Sequence, residues 1–488
     1  MRLYELFKGI SIKKSNVKLE SDVAYITNDH RKVKENFMFV ALKGTKRSGV
    51  DFITSALEMG ASVIVTEDST VCDKIPFILV ENIRSVIAKL WSNFYQNPSE
   101  GISTVAITGT NGKTSSSYFL YSILRSSGIS CGLISTIECL VNGKRIKHFN
   151  EGSVSDISSA MTTPDPEKLY FIYNEMKKAK VKIVIIEASS HALEQNRLDG
   201  IKIKIGAFTN LTPEHLDYHK SLDDYSRAKE KLMYMSEICL VNIDDRFGSF
   251  LAEKYSKKTF TFSVENHFAD FFASECKKNL NGSRYMLSHK EEKISIFTSA
   301  IGTFNIYNSM LAASCAKLLG IEDEKIRIGI NQVTQIKGRI ERYKNKNIYI
   351  DYAHTPDAMK KVLELFKELE PDKKLIVLFG CGGERDKSKR SEMGQISTKF
   401  ADYTIITSDN SRGEEVDEII SNILEGVLPN KEYIVIPNRK EAIKFVAKNL
   451  KFNEILLLLG KGHEEYEITK EGKRHFNERE VLDEVFGV

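Results

Sequence analysis

The 488-residue chain lacks most of what would mark an exported, membrane-bound or polymer-binding protein. Its seven cysteines, Cys72, Cys131, Cys139, Cys239, Cys276, Cys315 and Cys381, form no C-x-x-C pair, and several lie in apolar, strand-like runs. That pattern argues against a disulfide framework and predicts reduced core residues. No run approaches the roughly 20 apolar residues of a membrane helix, and charge interrupts the N-terminal Met1-Arg2-Leu3-Tyr4-Glu5-Leu6-Phe7-Lys8. A cytoplasmic location is therefore expected. Basic residues number 70 and acidic residues 66, with no Lys/Arg block, so nothing in the charge pattern prepares a surface for nucleic acid. Internal repeats and low-complexity tracts are missing too.

What is present is an apolar content of 42%, enough for substantial cores, in a chain long enough for about three domains. The most informative stretch is Thr104-Val105-Ala106-Ile107-Thr108-Gly109-Thr110-Asn111-Gly112-Lys113-Thr114-Ser115. Its first residues are β-branched or apolar, as in a buried strand, and Gly109 and Gly112 bracket a tight turn. Beyond Thr114, Tyr118, Phe119, Tyr121 and Leu124 recur at helical spacing, so the glycine loop opens a helix whose first N–H groups have no partner within it. Such an end holds an anion. Lys113 adds a charge that reaches the outer phosphates of a nucleotide, and the Thr114 hydroxyl can ligate the accompanying Mg²⁺, which predicts an ATP site. The loop is a short variant, with Ile107 where the usual G-x-x-x-x-G-K-[ST] pattern starts with glycine. The plain alternative is a glycine turn beside a chance lysine.

The rest of the chain reads as strands ending in polar residues. Residues 1 to about 97 carry Phe37–Leu42, a helix-like Ile53–Met59 and Ser62–Val65, a small α/β pattern closed by a linker-like Asn97-Pro98-Ser99-Glu100-Gly101. Lys182–Ile186 leads into Glu187-Ala188-Ser189-Ser190-His191, and Ile203–Phe208 into Thr209-Asn210-Leu211-Thr212-Pro213-Glu214-His215. After Lys337-Gly338-Arg339, a third α/β region has strands Leu375–Phe379, Tyr403–Thr407 and Ile455–Leu459. They end in Gly380-Cys381-Gly382-Gly383, Ser408-Asp409-Asn410-Ser411-Arg412 and Gly460-Lys461-Gly462-His463-Glu464. In a parallel sheet such ends gather at one edge, where ligands bind. The stretch from about Glu265 to Lys293 is polar and carries no signal. The domains expected are 1–97, 98–335 and 336–488.

Several of these residues have bland readings. Glu187 closing a strand can be a salt-bridged strand end rather than a metal ligand, and His215 a surface or capping residue. Lys229 lies on a charged amphipathic helix, where lysine is ordinarily solvated. Asp351, His354 and Asp357 can serve as acid–base groups or only as the turn ahead of a helix at Pro356. The run Arg385-Asp386-Lys387-Ser388-Lys389-Arg390 can be a solvated face, although a glycine loop feeding basic residues suits anionic ligands better.

Together these motifs resemble the Mur ligases, and within them the UDP-N-acetylmuramoyl-tripeptide synthetases of peptidoglycan assembly, over essentially the whole chain. The resemblance implies a three-domain α/β architecture: a small UDP-binding domain, a central P-loop ATPase-like parallel-sheet domain and a C-terminal Rossmann-like domain. It implies that ATP is held by Gly109, Thr110, Asn111, Gly112, Lys113, Thr114 and Ser115, with Asn305, Asn308, Arg339 and Asp351. Mg²⁺ would be held by Thr114, Glu187, His215 and Lys229, the last as a carbamate, and Lys113, Glu187, His215 and Lys229 would form the catalytic group. It also implies that Asn28, His30, Thr45, Lys46 and Arg47 bind UDP, and that Thr162, Thr163, Ser189, Gln195 and Arg197 bind the muramyl dipeptide. The amino acid added would meet Arg385, Asp409, Asn410, Ser411, Arg412, Gly460 and Glu464. Two positions depart from the family pattern: His30 replaces the serine of Asp-Ser-Arg, and Ser411 the proline of Asp-Asn-Pro-Arg.

The activity implied is ATP-dependent addition of meso-diaminopimelate, or a close meso-diamino diacid such as lanthionine, to UDP-N-acetylmuramoyl-L-alanyl-D-glutamate through an acyl phosphate. A monomer using only small-molecule substrates is expected, with no nucleic acid and no membrane insertion. A lysine-adding relative, a folylpolyglutamate-synthetase-like ligase and a non-catalytic ATP-binding regulator are the alternatives.

Overall fold

Runs of β-branched and aliphatic residues build parallel sheets at the places the sequence marks. The computed structural model describes residues 1–44, 47–150, 153–156 and 161–487. Two units can be distinguished: Met1–Thr108 with Gly128–Ala207 and Arg227–Cys239, and Gly109–Ser127 with Phe208–Ser226 and Leu240–Val488.

The first unit begins with a five-stranded sheet in the order Ile12–Ser15, Phe77–Val80, Ala61–Thr66, Phe37–Val40, Tyr25–Thr27, parallel except at the Ile12–Ser15 edge. Helix Ile83–Phe94 starts where the Asn82 side chain accepts the N–H groups of Arg84 and Ser85, and it buries Ile83, Ile87, Leu90 and Trp91. The linker-like Asn97–Gly101 is instead a tied turn. Pro98 and Ser99 are buried, and the Asn97 N–H donates to Ser92 O at 2.7 Å. A second sheet places Ser103–Thr108 between Ile203–Phe208 and Ile183–Glu187, followed by Cys131–Ile134, Cys139–Val141 and Lys144–Arg145. Ser103–Thr108, Ile183–Glu187 and Cys131–Ile134 are mutually parallel, and Glu187 pairs with Ile107, so both strands end level.

In the second unit, helix Lys113–Ser126 packs against helices Thr303–Leu318 and Asp323–Asn331. The region from Glu265 to Lys293, featureless as sequence, supplies strands Phe271–Asn279 and Gly282–His289, which form an antiparallel meander with Glu292–Thr298. A six-stranded sheet follows, ordered Glu341–Arg342, Ile348–Asp351, Glu454–Leu459, Lys374–Phe379, Tyr403–Ile406, Tyr433–Val435 and parallel except at the first pair. Its inner strands are largely aliphatic because both faces are covered. Ile455, Leu457 and Leu459 enter the core under helices Pro356–Leu369 and Ser388–Phe400, while Leu456 and Leu458 enter the core under Arg439–Asn449 and Glu478–Phe486.

Cys131, Cys139, Cys239, Cys315 and Cys381 are free, buried thiols as expected, but Cys276 is exposed. No described helix is long and apolar enough to cross a membrane.

Candidate active site

The strand Ser103–Thr108 is buried from Thr104 onward and turns sharply at Gly109, where φ is 144°. A Cβ at Gly109 would stand 1.8 Å from Thr209 Oγ1, so only glycine fits beneath that hydroxyl. The loop is clamped by the end of the neighbouring strand. Thr110 N–H donates to Asn210 O at 2.8 Å, Asn111 N–H to Asn210 Oδ1 at 3.0 Å, and the Thr209 hydroxyl to Asn111 O at 2.6 Å. Gly112 caps helix Lys113–Ser126, and the Lys113 ammonium folds back onto Gly109 O and Thr110 O at 2.9 and 2.8 Å. A rigid backbone cradle with a lysine over it, at a helix N-terminus, is an anion site.

A cleft of about 170 Å³ adjoins this loop, lined among others by Ser115, Asn305, Arg339 and Tyr349. Arg339 donates to the Thr114 hydroxyl at 3.2 Å and lies 4.9 Å above the Tyr352 ring. Asn308 donates to Asn305 Oδ1 at 3.1 Å. Asp351 accepts the N–H groups of Ile340 and Ala353, each at 2.7 Å; burial pushes its carboxyl above the usual range, opposed by Arg339. All these predicted nucleotide residues therefore meet. The same end of the loop holds Glu214, which sequence reasoning passed over: its Oε1 lies 3.7 Å from His215 Nε2 and 3.6 Å from His354 Nε2. Burial opposes ionisation, yet His354, His215 and Lys113 hold Glu214 well below the usual carboxylate range. His215 itself occupies the N-cap position of Leu216–His219 with φ of 57°, and its side chain makes no capping bond.

Within the first unit, Glu187 is fully buried. Thr136 N–H donates to its Oε1 at 3.0 Å and the Thr136 hydroxyl to its Oε2 at 2.8 Å. A carboxylate oxygen can accept more than one partner, a chemistry that suits a cation. Around it, the Thr163 hydroxyl donates to Glu187 O at 2.7 Å, and Ser189 N–H donates to Thr163 Oγ1 at 3.0 Å. Arg197 donates to Thr163 O at 2.7 Å and to Gln195 Oε1 at 2.8 Å, and Thr162 Oγ1 lies 3.2 Å from Thr136 Oγ1. The five predicted dipeptide residues thus form one network. Asn28 joins Gln195 and Arg197 in lining a second cleft of about 170 Å³, with Arg84, Trp91 and Glu167, which the sequence did not single out. His30 does not line that cleft but stacks on Phe52 at 4.2 Å. Arg47 is exposed, and Thr45 and Lys46 lie outside the described residues.

Lys229 overturns its bland reading: it is 2% exposed. Tyr225, Lys229, Leu232 and Met233 fall at i, i+4, i+7 and i+8 of helix Leu222–Met235, so the lysine lies on the buried stripe. A lysine so placed needs charge compensation or chemical conversion. Among the described residues, no group of three or more His, Cys, Asp and Glu side chains forms a metal cluster. The predicted ligand set, with a hydroxyl and a carbamate, is not of that composition.

The third set of residues sits at the ends of the six-stranded sheet. Gly460 has φ of 110°, and a Cβ there would come within 2.7 Å of Asp409 Oδ2. Asn410 donates to Glu464 Oε2 at 2.8 Å. Burial and Asp409 push the Glu464 carboxyl up, whereas Asp409, despite burial, is held below its usual range by Lys461 and Arg439. Arg412, in the left-handed region with φ of 53°, anchors one guanidinium nitrogen on Gly383 O at 2.8 Å and Asn410 O at 3.2 Å. Its other nitrogens are then presented in a fixed plane. Arg385 is exposed on the adjoining loop, but Arg390 of the same basic run is fully buried against Glu414 rather than solvated.

Three family profiles match in chain order: "Mur ligase family, catalytic domain" at residues 22–95, "Mur ligase middle domain" at 107–316, and "Mur ligase, glutamate ligase domain" at 338–462. The chain belongs to the Mur ligase family. It is 37% identical over 492 residues to the UDP-N-acetylmuramoyl-L-alanyl-D-glutamate–2,6-diaminopimelate ligase of Caldanaerobacter subterraneus subsp. tengcongensis, with 99% of each chain covered. It is 38% identical over 497 residues to the ligase of the same name from Clostridium perfringens, again with 99% of each covered. A solved structure of a ligase of that name superposes with a TM-score of 0.69 at 26% identity, covering 100% of this chain and 99% of that one.

Proposed function

We propose that the protein is an ATP-dependent amide ligase that adds meso-diaminopimelate, or a close meso-diamino diacid such as lanthionine, to UDP-N-acetylmuramoyl-L-alanyl-D-glutamate in cytoplasmic peptidoglycan synthesis, acting as a monomer. The full-length likeness to ligases of that printed name carries this reading. The phosphate loop and the Arg412 loop agree with it.

In this mechanism the loop Gly109–Ser115 cradles the ATP phosphates, and the Lys113 ammonium exchanges its two loop carbonyls for phosphate oxygens, drawing charge from the γ-phosphoryl group as it moves. Asn305, Asn308, Arg339 and Asp351 form the nucleoside end. Thr162, Thr163, Ser189, Gln195 and Arg197 orient the muramyl dipeptide, with the cleft at Asn28, Arg84 and Trp91 continuing toward its nucleotide end. The D-glutamyl carboxylate takes the γ-phosphoryl group and ADP leaves. The acceptor amine then attacks the acyl carbon, loses a proton and expels phosphate. Positioning and charge neutralisation provide most of such catalysis. Thr114 and His215 in the second unit, and Glu187 and carbamylated Lys229 in the first, are the proposed Mg²⁺ ligands. Bound Mg²⁺ would neutralise phosphate charge.

The test is ADP release with UDP-N-acetylmuramoyl-L-alanyl-D-glutamate and a panel of meso-diaminopimelate, meso-lanthionine and L-lysine. Turnover should require both substrates and favour the two diacids. Nucleotide binding without turnover, or equal or better use of lysine, would overturn the assignment.

A further inference from the structure

Lys461 is fully buried between two glycines in the loop that carries Gly460 and Glu464. Its ammonium donates to Tyr466 O at 2.9 Å and Asn410 Oδ1 at 3.2 Å, and it lies 3.5 Å from Asp409 Oδ1 and 3.6 Å from Glu464 Oε2. The contact with Asn410 is the informative one. Asn410 Oδ1 also accepts the Ile468 N–H at 2.9 Å, so two donors converge on the same end of this amide. An amide end that faces two donors must be its oxygen, because the flipped amide would set N–H against N–H. The Asn410 NH₂ is thereby turned toward Glu464, to which it donates at 2.8 Å.

We infer that Lys461 is a positioning residue for the acceptor amino acid: its hydrogen bond fixes the orientation of the Asn410 amide, and that amide holds the Glu464 carboxylate where it receives the acceptor's ammonium group. The inference rests on the ligase reading above. It assigns to a buried lysine a role in acceptor recognition beyond offsetting the charges of Asp409 and Glu464. A buried amide of fixed orientation is a stronger specificity element than a rotatable one, since a substrate that cannot match it leaves a buried group unpaired.

The two roles separate in steady-state kinetics on the full chain, with ATP, the UDP-dipeptide and meso-diaminopimelate varied in turn. Lys461→Met, which removes both donor and charge, should raise the KM for the diamino acid about 30-fold, the size expected when one partner of a buried charged hydrogen bond is lost, while the other two KM values stay put. Lys461→Gln, which removes the charge but keeps an N–H donor toward Asn410, should restore most of that affinity. The double variant Lys461→Met with Asn410→Ala should bind the acceptor no worse than Asn410→Ala alone, because both changes break one chain of contacts. A Gln variant as weak as the Met variant, additive effects in the double variant, or an unchanged acceptor KM would overturn the inference. If Lys461→Met does not fold, Lys461→Gln and Asn410→Ala decide together: an acceptor KM raised in Asn410→Ala and wild-type-like in Lys461→Gln supports the inference, and a raised KM in Lys461→Gln or an unchanged one in Asn410→Ala defeats it. Wild type without diamino-acid-dependent turnover would instead remove the ligase reading itself.

Discussion

Two loops that both follow parallel strands hold their shape in opposite ways. The phosphate loop Gly109–Gly112 is clamped by neutral groups, the Asn210 amide, the Thr209 hydroxyl and backbone carbonyls, with one mobile cation added over it. The loops at the end of the six-stranded sheet are clamped by buried ions. Arg390 pairs with Glu414 at 3.0 Å, Arg439 with Glu478 at 2.8 Å, and Lys461 lies between Asp409 and Glu464. The difference follows the ligand each is proposed to take. A polyphosphate is recognised by backbone N–H groups and needs only a stiff, close-fitting chain, whereas a zwitterion with two cationic and two anionic ends needs fixed charges of both signs. Fixed charges in a low-dielectric site persist only if each is paired.

The largest effect expected from this contrast is on stability. Arg439 is buried, donates to Glu478 Oε1 and also holds Leu459 O at 2.8 Å and Ser408 O at 3.2 Å, at and just beyond the ends of the two strands that flank Lys374–Phe379. Arg439→Met should cost roughly 3 to 5 kcal/mol, since it strands a buried carboxylate. Asn210→Ala, which removes neutral hydrogen bonds to the phosphate loop, should cost only about 1 kcal/mol. Urea unfolding of the two variants checks this, and equal losses would break the contrast.

Next in size is a loss of rate without a loss of fold. Lys113→Ala should lower ADP release by about 10² to 10³, the usual result of removing one preorganised charge stabiliser, with the melting temperature close to wild type. The two loop carbonyls it holds are groups that water can satisfy. A variant that keeps near wild-type turnover would take this loop out of the mechanism.

This contrast also decides what the sequence could disclose. The phosphate loop is legible because its constraints are local: a β-branched strand, two glycines three residues apart, Lys-Thr, and a helical repeat. The six-stranded sheet is legible because its inner strands are covered on both faces and read as largely aliphatic runs. The buried ions are not, since Asn410 and Glu478, which tie Lys461 and Arg439 to other parts of the chain, lie 51 and 39 residues away. Gly460-Lys461-Gly462 reads as a strand end whose charge grips a ligand, and only the bonds to Asn410 and Tyr466 show the lysine turned into the fold. The Phe271–Asn279 strand was hidden by a register shift between Ser274 and Lys277, which breaks the alternation, although Tyr285 and Leu287, then Ile294 and Ile296, keep the two-residue period of a half-buried sheet. Lys229 carried a signal in its own helix, the apolar stripe it shares with Leu232 and Met233, that its charge masked.

A smaller effect is expected for substrate choice. Arg412 is half-buried, held by one nitrogen and set in a left-handed backbone, which leaves a planar pair of donors of the kind that the proposed acceptor's distal carboxylate would need. Discrimination against L-lysine should be worth about 2 kcal/mol, roughly 30-fold, at this partly solvated position. Arg412→Ala should therefore bring kcat/KM for meso-diaminopimelate down toward that for lysine while leaving the ATP KM unchanged. Ratios unaltered by the substitution would show that selectivity lies elsewhere among the loops.

The smallest effect, and the one that separates the two clamps most directly, is their response to acid. Glu414 bonds Arg390 through both oxygens and accepts the Glu384 N–H. Arg390, then the Glu384 N–H and Lys387, lower its pKa from the ordinary 4.5 to about 2. A carboxylate whose pKa is depressed by folding contributes stability that is fully present above its unfolded value and is lost as pH falls through the folded one. The Gly382–Glu384 loop should therefore loosen between pH 4.5 and about 2, by on the order of 1 kcal/mol once solvent screening is allowed for. The Asn111 N–H, whose partner Asn210 does not titrate, should feel none of this. Amide exchange corrected for intrinsic rate measures both in one sample: the protection of Glu384 should fall across that window while that of Asn111 holds. In Glu414→Gln the acid-dependent part of the Glu384 response should vanish, because the side chain there no longer titrates. Parallel loss of protection at Glu384 and Asn111 in wild type would mean that acid opens the unit as a whole, and that the two loops are not clamped by different physics after all.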